Sequence, residues 1–366
     1  MARILFLEPF GGGSHQTLYR GWQKYSKHEI KVLELPAIHW KWRSRHASFT
    51  LAEKAEKAHK EDDIDLVVAS SMLNLPEWRG FLTGSLQHVP SVVYFHENQF
   101  TYPLSPGQRR DYHFGYSNVL SVMAANQAWF NSEFHRQDFW KAAVSWLRRM
   151  PDFSHIQDFN IAMEESLVMP PGIDPPSEVE QRADDSNTGE PPVIGWVARW
   201  EHDKGPDVFV ETILQLMVQF DFRLVLLGQG YEKRPESIGK LVDMAEDRLL
   251  HCGFAESREE YWHWLGKIDI VVSTASHEFF GLSMLEAMHA GAYPMLPNRL
   301  AYPNLLAALS LDTKVHLYDS NEQLHCRLAN LLETQRVRER VGECNSKQFL
   351  WSKLAAQFDS RAERLL

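Results

Sequence analysis

The stretch that decides the fold is HEFFGLSMLEAM, residues 277–288. It follows the apolar run Ile268–Ser273, which has the length and composition of a buried strand, and its second half has the residues of a helix. Gly281 stands between them, where the lack of a side chain lets backbone N–H groups approach a phosphate closely. The start of the helix adds the attraction of its dipole for an anion. The stretch therefore predicts a strand, a glycine turn and a helix that together bind a phosphate-bearing ligand.

Two glutamates flank this turn, and both are candidates for binding sugar hydroxyls. Glu278 precedes the helix and can hydrogen-bond a sugar, whereas Glu286, one to two turns inside it, can reach a ribose. A carboxylate suits vicinal diols because it accepts two hydrogen bonds at once. The alternative is that Glu278 only caps the helix and that Glu286 lies on its solvated face. For either glutamate alone, the sequence leaves both interpretations open.

Outward from this stretch, short apolar runs alternate with segments of helical length. This alternation predicts parallel strands with crossover helices, an α/β fold that binds ligands at the carboxyl ends of its strands. The polar segment 175–192 indicates a linker. We therefore predict two Rossmann-like domains, 1–174 and 193–345, that face each other across a deep cleft, and a C-terminal helix over 346–366 that packs back on the first domain. The predicted strands are Ile4–Leu7, Lys31–Leu35, Leu66–Ser70, Ser91–Phe95, Ala128–Asn131, Val193–Val197, Arg223–Leu227, Ile268–Ser273 and Ala292–Leu296.

The composition excludes several classes of protein. Of the 366 residues, 44% are hydrophobic and 23% are charged, which is typical of a soluble globular protein. The chain has no apolar run of about 18 residues, so no membrane span is predicted. Three cysteines without metal-ligand spacing indicate free thiols in a reducing compartment, and we expect a cytoplasmic protein. The net charge of −10 argues against nucleic-acid binding by the whole surface.

The residues around the glycine turn resemble the nucleotide-binding signature of the retaining glycosyltransferases with the GT-B fold. In that family the pattern is E-x-F-G-x-x-x-x-E followed by A-x-A-x-G. The matching residues here are Glu278, Phe280, Gly281, Glu286, Ala287, Ala290 and Gly291. The resemblance implies a nucleotide-sugar donor whose contacts include Phe280, Gly281, Leu282, Ser283 and Glu286.

A second signature of that family opens the second predicted domain. Arg199 and Lys204 match the positions at which an Arg and a Lys clamp the donor diphosphate. A forked guanidinium and an ammonium suit this task because together they neutralise two phosphates. The alternative for either cation alone is ordinary surface charge. Further implied donor contacts are Gly228 and Gly230, at the end of a strand, and Phe254, in a segment that usually packs against the base of the donor.

The first predicted domain carries a narrower resemblance. Residues 8–15 (EPFGGGSH), 35–43 (LPAIHWKWR) and 95–103 (FHENQFTYP) look like the tRNA-queuosine α-mannosyltransferase family. This resemblance implies transfer of mannose from GDP-mannose to queuosine in tRNA-Asp, with His96 on the transferred sugar. Taken alone, the glycine loop is equally a plain turn, and a histidine such as His96 is more often a structural residue. The other contacts we infer here are Gly12 and Gly13 to the donor, and Ser14, His15, Glu97 and Asn98 to the acceptor.

One run can support an RNA acceptor. Residues 40–46, WKWRSRH, interleave aromatic and cationic side chains, which can stack on bases and pair with phosphates. The alternative is solvated charge on a helix or loop, with the tryptophans in the core. The candidate acceptor contacts are Lys41, Arg43, Arg45, Arg109 and Arg110.

The predicted chemistry is a retaining transfer that uses no protein nucleophile. Arg199, Lys204 and the N–H groups near Gly281 stabilise the leaving diphosphate, while Glu278 and His96 position the sugar. We expect no metal and no cofactor beyond the nucleotide sugar, because two cations can neutralise the diphosphate. One alternative is the same donor chemistry on a glycan, a lipid or a small molecule. The other is a non-catalytic module that binds nucleotide sugar or RNA, which predicts loss of Arg199, Lys204 or Glu278, yet all three are present.

Overall fold

The computed structural model describes residues 1–104, 107–177, 190–228, 235–334 and 344–366. The predicted donor contact Gly230 and most of the predicted linker lie outside these ranges. The chain divides into two units, which are described separately. The first unit comprises Met1–Asp174 and Phe349–Leu366, and the second unit comprises Pro175–Gln348.

A sheet of six parallel strands forms the centre of the first unit. Their order across the sheet is β2-β1-β3-β4-β5-β6. The chain moves outward from β1 to β2 and then returns past β1 to β3, so the topological switch point lies between β1 and β3. The strands are β1 (Arg3–Gly11), β2 (Glu29–Pro36), β3 (Leu66–Ser70), β4 (Ser91–Phe95), β5 (Gln127–Phe130) and β6 (Leu167–Val168).

Helices cover this sheet, which is why its central strands are apolar on both faces. The helices are α1 (Gly13–Tyr25), α2 (Trp40–Glu61), α3 (Leu75–Phe81), α4 (Tyr112–Ala124), α5 (Glu133–Leu147), α6 (Ile156–Glu164) and, from the end of the chain, α14 (Trp351–Glu363). Helix α14 packs on α1, where Trp22 Nε1 donates to Asp359 Oδ1 at 2.8 Å. A Cβ on Gly21 would lie 2.1 Å from Trp351 Nε1, so only glycine lets the two helices approach this closely.

The second unit contains a parallel sheet of six strands in the order β12-β11-β10-β7-β8-β9. This is the order of a dinucleotide-binding fold, with its switch point between β7 and β10. Its strands are β7 (Val193–Val197), β8 (Arg223–Leu227), β9 (Leu249–Gly253), β10 (Ile270–Val272), β11 (Tyr293–Pro297) and β12 (Leu317–Tyr318). Its helices are α7 (Pro206–Met217), α8 (Glu236–Met244), α9 (Arg258–Lys267), α10 (Leu282–His289), α11 (Tyr302–Ala308), α12 (Thr313–His316) and α13 (Asn321–Thr334).

Each of the nine predicted apolar runs overlaps a strand, but β6, β9 and β12 were not predicted. Strands β6 and β12 have two residues each, which is too short for a hydrophobic pattern. The start of α1 also bears on the glycine run, because the helix begins at Gly13. The predicted glycine loop is therefore mostly regular structure, with Gly11 at the end of β1 and His15 inside α1.

The described part of the chain contains no helix with both the length and the apolar character needed to cross a bilayer.

Candidate functional site

In the second unit, the predicted donor motifs surround the switch point between β7 and β10. Arg199 follows β7, and both Glu278 and Gly281 follow β10. Ser283, in the first turn of α10, donates from Oγ to Val197 O at 3.1 Å. This bond joins the end of β7 to the start of α10, so two motifs that are distant in sequence lie at the same edge of the sheet.

Lys204 is held at this edge by three oxygen atoms. Its Nζ donates to His277 O at 2.9 Å. The same nitrogen lies 3.3 Å from Glu278 Oε2 and 3.3 Å from Asp203 Oδ2. Lys204, predicted to bind the diphosphate, and Glu278, predicted to bind the sugar, are therefore in direct contact.

The turn that carries Lys204 is fixed to the segment after β10. Thr274 Oγ1 donates to Lys204 O and to Gly205 O, each at 2.9 Å. Gly205 has a φ of +64°, and a Cβ there would lie 2.4 Å from Thr274 O. Both the backbone conformation and the space exclude a side chain, so residue 205 must be glycine.

Glu278 does not cap α10 in the way that the structural alternative predicts. The residue before the helix is Gly281, with a φ of +93°, and no side chain caps the helix there. Glu278 Oε1 instead accepts from Phe279 N at 3.1 Å and from Phe280 N at 3.4 Å, in the turn before the helix. The first N–H groups of α10 thus receive no side-chain cap, as an anion site at a helix start requires.

The charges at this edge include carboxylates as well as the two cations that the sequence pointed to. Two cations, Arg199 and Lys204, lie among three carboxylates, Glu201, Asp203 and Glu278. The Asp203 side chain is almost fully buried and forms an ion pair with Lys204. Asp203 was missed because an acidic residue in a polar turn has no pattern that marks it as buried. The formal charge of these five groups is therefore −1, as two positive charges are set against three negative ones.

The same contacts perturb the ionisation of two neighbours. Burial alone would raise the pKa of Glu278, but the Lys204 ammonium and the Phe280 N–H outweigh it and hold that pKa below its usual value. Burial, followed by the positive charge of Lys204, lowers the pKa of His277 to about 4. At neutral pH the site therefore holds an ionised Glu278 and an uncharged His277.

The remaining predicted donor contacts vary in exposure. The Arg199 side chain is 41% exposed, and its Nη1 lies 3.4 Å from Glu201 Oε2. Gly228 follows β8 with a φ of +151°, and a Cβ on it would lie 1.9 Å from Ala198 O, so glycine is required there. Phe254 follows β9 and is 61% exposed, as an aromatic face available to a ligand must be.

Glu286 is not on a solvated helix face, so that alternative is wrong. It is buried in α10, and its carboxylate accepts from Arg258 Nη2 at 2.8 Å and from Tyr261 Oη at 2.7 Å. Both partners belong to α9, and no motif in the sequence pointed to either. An ionised carboxylate has about four lone-pair positions, so the predicted ribose contact would use those that remain.

In the first unit, a buried carboxylate lies at the switch point between β1 and β3. Glu8, near the end of β1, is fully buried. Its Oε1 accepts from Phe10 N at 2.9 Å and from Ser70 Oγ, at the end of β3, at 3.1 Å. Its Oε2 is 3.0 Å from His15 Nδ1 and 3.8 Å from His96 Nε2. Glu8 was not among the predicted site residues, although it begins the run EPFGGGSH.

The predicted residues His15 and His96 both belong to this buried cluster. Their rings stack with centroids 3.9 Å apart and planes inclined by 19°. One ligand atom from each of Glu8, His15 and His96 lies within 4.8 Å of the others, and within the described ranges this is the group that could hold a metal ion. His15 is buried inside α1, whereas its neighbour Ser14 is exposed in the first turn of that helix.

A set of hydrogen bonds fixes the backbone of His96. Asn131 Nδ2 donates to His96 O at 2.9 Å, and Asn131 Oδ1 is 2.8 Å from His135 Nδ1. Burial, together with the nearby His15 and His135, holds the pKa of His96 well below its usual range. His96 is therefore a neutral imidazole at physiological pH.

Two predicted acceptor contacts bind the backbone of their own segment. Asn98 is fully buried, and its Oδ1 accepts from Phe100 N and Thr101 N at 3.0 Å, which holds the turn after β4. Arg110 donates to Gln99 O at 2.9 Å and to Tyr102 O at 2.8 Å, so its guanidinium ties down the same segment. Both side chains thus have polar atoms that support the local backbone.

Glu97 and Arg109 are two other predicted acceptor contacts and lie near this segment. Glu97 is partly buried, and its Oε1 accepts from Gln99 Nε2 at 2.9 Å. Arg109 is exposed.

The predicted donor contacts Gly12 and Gly13 lie at the start of α1. Gly12 precedes α1 in an extended conformation, and a Cβ on it would lie 2.6 Å from Ala37 Cβ, whereas Gly13 has open space around it.

The cationic run 40–46 forms the first turns of α2, and its tryptophans are not in the core. Trp42 is 62% exposed. Lys41 is also exposed, and its Nζ lies 5.6 Å from the centroid of the Trp40 ring. Arg43 Nε donates to Pro36 O at 3.1 Å, and Arg45 Nη2 is 3.3 Å from Asp111 Oδ2. The surface formed by Lys41, Trp42, Arg43 and Arg45 is called the α2 surface below.

Two protein families match successive parts of the chain. Residues 3–173 match the family described as tRNA-queuosine alpha-mannosyltransferase N-terminal, and residues 178–348 match glycosyl transferases group 1. A curated relative, tRNA-queuosine alpha-mannosyltransferase of Drosophila melanogaster, is 34% identical over 363 residues, which cover 97% of this chain and 93% of the relative.

Solved structures with low sequence identity share the fold. Sucrose-phosphate synthase from Thermosynechococcus elongatus has a TM-score of 0.71 at 14% identity, with 100% of this chain and 99% of that chain covered. Anabaena HepE, in complex with UDP and glucose, has a TM-score of 0.65 at 15% identity, with 99% of each chain covered. The chain therefore has the GT-B fold that its motifs predicted.

Proposed function

We propose that this chain, which belongs to the tRNA-queuosine alpha-mannosyltransferase family and is a glycosyltransferase, transfers mannose from GDP-mannose to queuosine in tRNA-Asp. The observation that carries the proposal is the contact between Lys204 Nζ and Glu278 Oε2, 3.3 Å apart, just before the uncapped start of α10. A cation, a carboxylate and free helix N–H groups at one strand edge suit a ligand that has both phosphates and hydroxyls.

The reaction is a retaining transfer. The bond between the anomeric carbon and the diphosphate oxygen breaks, and a bond from that carbon to the acceptor oxygen forms on the same face. The acceptor proton passes to the leaving phosphate oxygen, so no protein base is consumed. Lys204, Arg199 and the N–H groups at the start of α10 stabilise the charge that develops on the diphosphate.

The charged groups of the second unit contribute differently to binding the donor. Lys204 already faces Asp203 and Glu278, so much of its charge is neutralised before a donor binds. The diphosphate therefore relies more on Arg199, whose side chain is 41% exposed, and on the dipole of α10 than the sequence suggested. Glu278 stays ionised because its pKa is lowered, and it accepts hydrogen bonds from hydroxyls of the hexose.

The contacts assigned to the acceptor lie in the first unit. His96 binds the transferred sugar, and Ser14, Glu97 and Arg109 remain candidates for queuosine or the RNA backbone. The α2 surface is the candidate RNA contact, because exposed Trp42 can stack on a base and Lys41 can pair with a phosphate. With tRNA as the acceptor, the proposed compartment of the reaction is the cytoplasm.

The experiment is to incubate the protein with a panel of nucleotide sugars and total tRNA, digest the tRNA, and identify the nucleoside that gains a hexose by mass spectrometry. We expect GDP-mannose to modify queuosine and other donors to give little product. The matched control variant is Lys240→Ala, which removes an exposed lysine of α8 in the same unit. Hexose on a different nucleoside, or only on a glycan or small molecule, would contradict the proposal that queuosine is the acceptor.

We propose further that the transfer needs no metal ion, because Arg199, Lys204 and α10 supply the positive charge. Excess EDTA is expected to leave the rate within about twofold, since removal of one charge-assisted interaction would cost about 10-fold or more. Inactivation by EDTA that Mg²⁺ or Mn²⁺ reverses would contradict this.

A further inference from the structure

The Glu8 carboxylate is a built site rather than a chance contact. An ionised carboxylate without water is costly unless donors surround it, and Glu8 receives them from Phe10 N, Ser70 Oγ and His15 Nδ1. Its Oε1 already accepts two hydrogen bonds, while Oε2 has one close partner, His15 Nδ1 at 3.0 Å. Oε2 therefore retains a lone pair, and His96 Nε2 lies 3.8 Å from it.

The His96 ring has little freedom to turn away from this carboxylate. One face stacks on His15 at 3.9 Å, and Tyr94 lies 4.7 Å from the ring centroid. The Nε2 atom of His96 is buried and has no hydrogen-bond partner among the residues that the structure describes. A buried ring nitrogen aimed at an anion is best satisfied when it carries the proton.

Protonation at one ring nitrogen decides what the other can do. A neutral imidazole has one N–H donor and one lone-pair acceptor, so a proton on Nε2 leaves Nδ1 as an acceptor. His96 is neutral because burial and the adjacent histidines disfavour its charged form and hold its pKa low. Nearby charge therefore decides which of its two tautomers is favoured. The carboxylate oxygen Glu8 Oε2 lies 3.8 Å from His96 Nε2.

We propose that Glu8 is a positioning residue that holds the proton of His96 on Nε2, so that His96 Nδ1 accepts a hydrogen bond from a hydroxyl of the substrate. That this hydroxyl belongs to the transferred sugar rests on the proposed function, whereas the tautomer does not. Glu8 thus acts through His96 and does not touch the sugar itself.

A metal ion shared by Glu8, His15 and His96 is the competing interpretation, and the ring geometry disfavours it. The lone pair of an imidazole nitrogen lies in the plane of the ring. Two rings stacked at 3.9 Å with planes only 19° apart confine their lone pairs to two separate and nearly parallel planes. One ion about 2.0–2.1 Å from a nitrogen of each ring would therefore lie well outside at least one ring plane.

The direct test is the ring-nitrogen NMR spectrum of the histidine-labelled protein, with the His96 signals assigned by their absence in His96→Gln. In the native protein we expect a protonated Nε2 and an unprotonated Nδ1. In Glu8→Gln this preference should disappear, because the amide N–H₂ can donate to Nε2. A native His96 with the proton on Nδ1 would overturn the proposal, even if Glu8→Gln fails to fold.

Kinetics and metal analysis complete the test. Glu8→Gln is expected to lower kcat by about 10- to 100-fold, the size of one well-placed hydrogen bond, while the donor KM changes by less than about threefold. Ser70→Ala, which leaves the carboxylate in place, should keep the native tautomer. Stoichiometric zinc or manganese in the purified protein, or shifts of both His15 and His96 on adding Zn²⁺, would show a metal site instead. Native tautomer signals together with no mannosyl transfer would contradict the proposed function alone.

Discussion

The two switch points of this molecule both lie at the carboxyl ends of parallel strands, but their side chains have different chemistry. Between β7 and β10, five charged side chains meet at an edge that is partly exposed. Between β1 and β3, one buried carboxylate faces two stacked imidazoles. The first arrangement suits an anion with hydroxyls, and the second suits an uncharged group that needs a fixed hydrogen-bond geometry. A switch point in a parallel sheet thus supplies the location of a site, while the side chains determine what it binds.

The largest expected effect tests the charged switch point. Lys204→Met should lower kcat/KM by about 100- to 1000-fold, because the ammonium stabilises the leaving diphosphate. The variant also leaves the buried Asp203 without its ion pair, which destabilises the fold.

The double variant Asp203→Asn/Lys204→Met separates these two consequences. It should recover thermal stability without recovering activity, as measured by unfolding and by transfer of hexose to tRNA. Recovery of both would show that Lys204 serves only the fold.

Arg199→Ala should have a smaller effect at the same edge. A charge-assisted hydrogen bond contributes about 1.5–3 kcal/mol, so we expect kcat/KM to fall about 10- to 100-fold. Much of this fall should come from a higher KM for the donor. Steady-state kinetics with varied donor measure this. Kinetics like those of Lys240→Ala would remove Arg199 from the diphosphate contact.

Glu286→Gln distinguishes structural from ligand-binding carboxylates in α10. Because the Glu286 carboxylate is buried against Arg258 and Tyr261, we expect the free energy of unfolding to fall by about 1–3 kcal/mol. Urea unfolding of Glu286→Gln, Tyr261→Phe and the double variant gives the coupling between the two groups. A raised donor KM in Glu286→Gln, but not in Tyr261→Phe, would support the ribose contact, and unchanged values in both would contradict it.

Replacing Lys41, Arg43 and Arg45 by Ala tests whether the cations that bind RNA in the first unit lie on the α2 surface. The alternative location is the switch point of the same unit. RNA affinity should fall about three- to tenfold, and the slope of log K against log salt should decrease by about 0.7–0.9 for each phosphate that the protein no longer neutralises. Arg43 and Arg45 have protein partners, so Lys41 should account for most of the slope.

The matched control is Lys54→Ala/Lys57→Ala, which removes exposed lysines farther along the same helix. An equal decrease in RNA affinity in both variants would indicate general charge attraction and not a defined surface.

The smallest expected effect concerns pH and the second unit. Because the folded-state pKa of His277 is about 4, the unfolded chain binds a proton more readily between about pH 6.5 and 4. Stability should therefore decrease as the pH falls through this window, by at most about 1.4 kcal/mol per pH unit. The difference in unfolding free energy between the native protein and His277→Asn should be constant above pH 7 and diminish below it. A constant difference throughout would contradict the assignment.

Much of the second unit could be predicted from the sequence because its motifs are local. Gly281, Glu278 and Ser283 lie within one strand-turn-helix, and the contact of Lys204 with Glu278 follows from parallel neighbours β7 and β10. Contacts between distant segments could not be predicted. The partners of Glu286 come from α9, and those of Glu8 come from the ends of β3 and β4 and from α1. The backbone partners of Asn98 and Arg110 could not be predicted either, because a polar residue that supports a turn has the same sequence pattern as one that binds a ligand.

The most direct test of the central claim is a crystal structure of the protein with a non-hydrolysable GDP-mannose analogue. The account predicts the diphosphate within hydrogen-bonding distance of Lys204 Nζ, of Arg199 and of the first N–H groups of α10, with a hexose hydroxyl on the Glu278 carboxylate. A diphosphate bound elsewhere, with the Lys204 and Glu278 side chains keeping only their present protein partners, would contradict it.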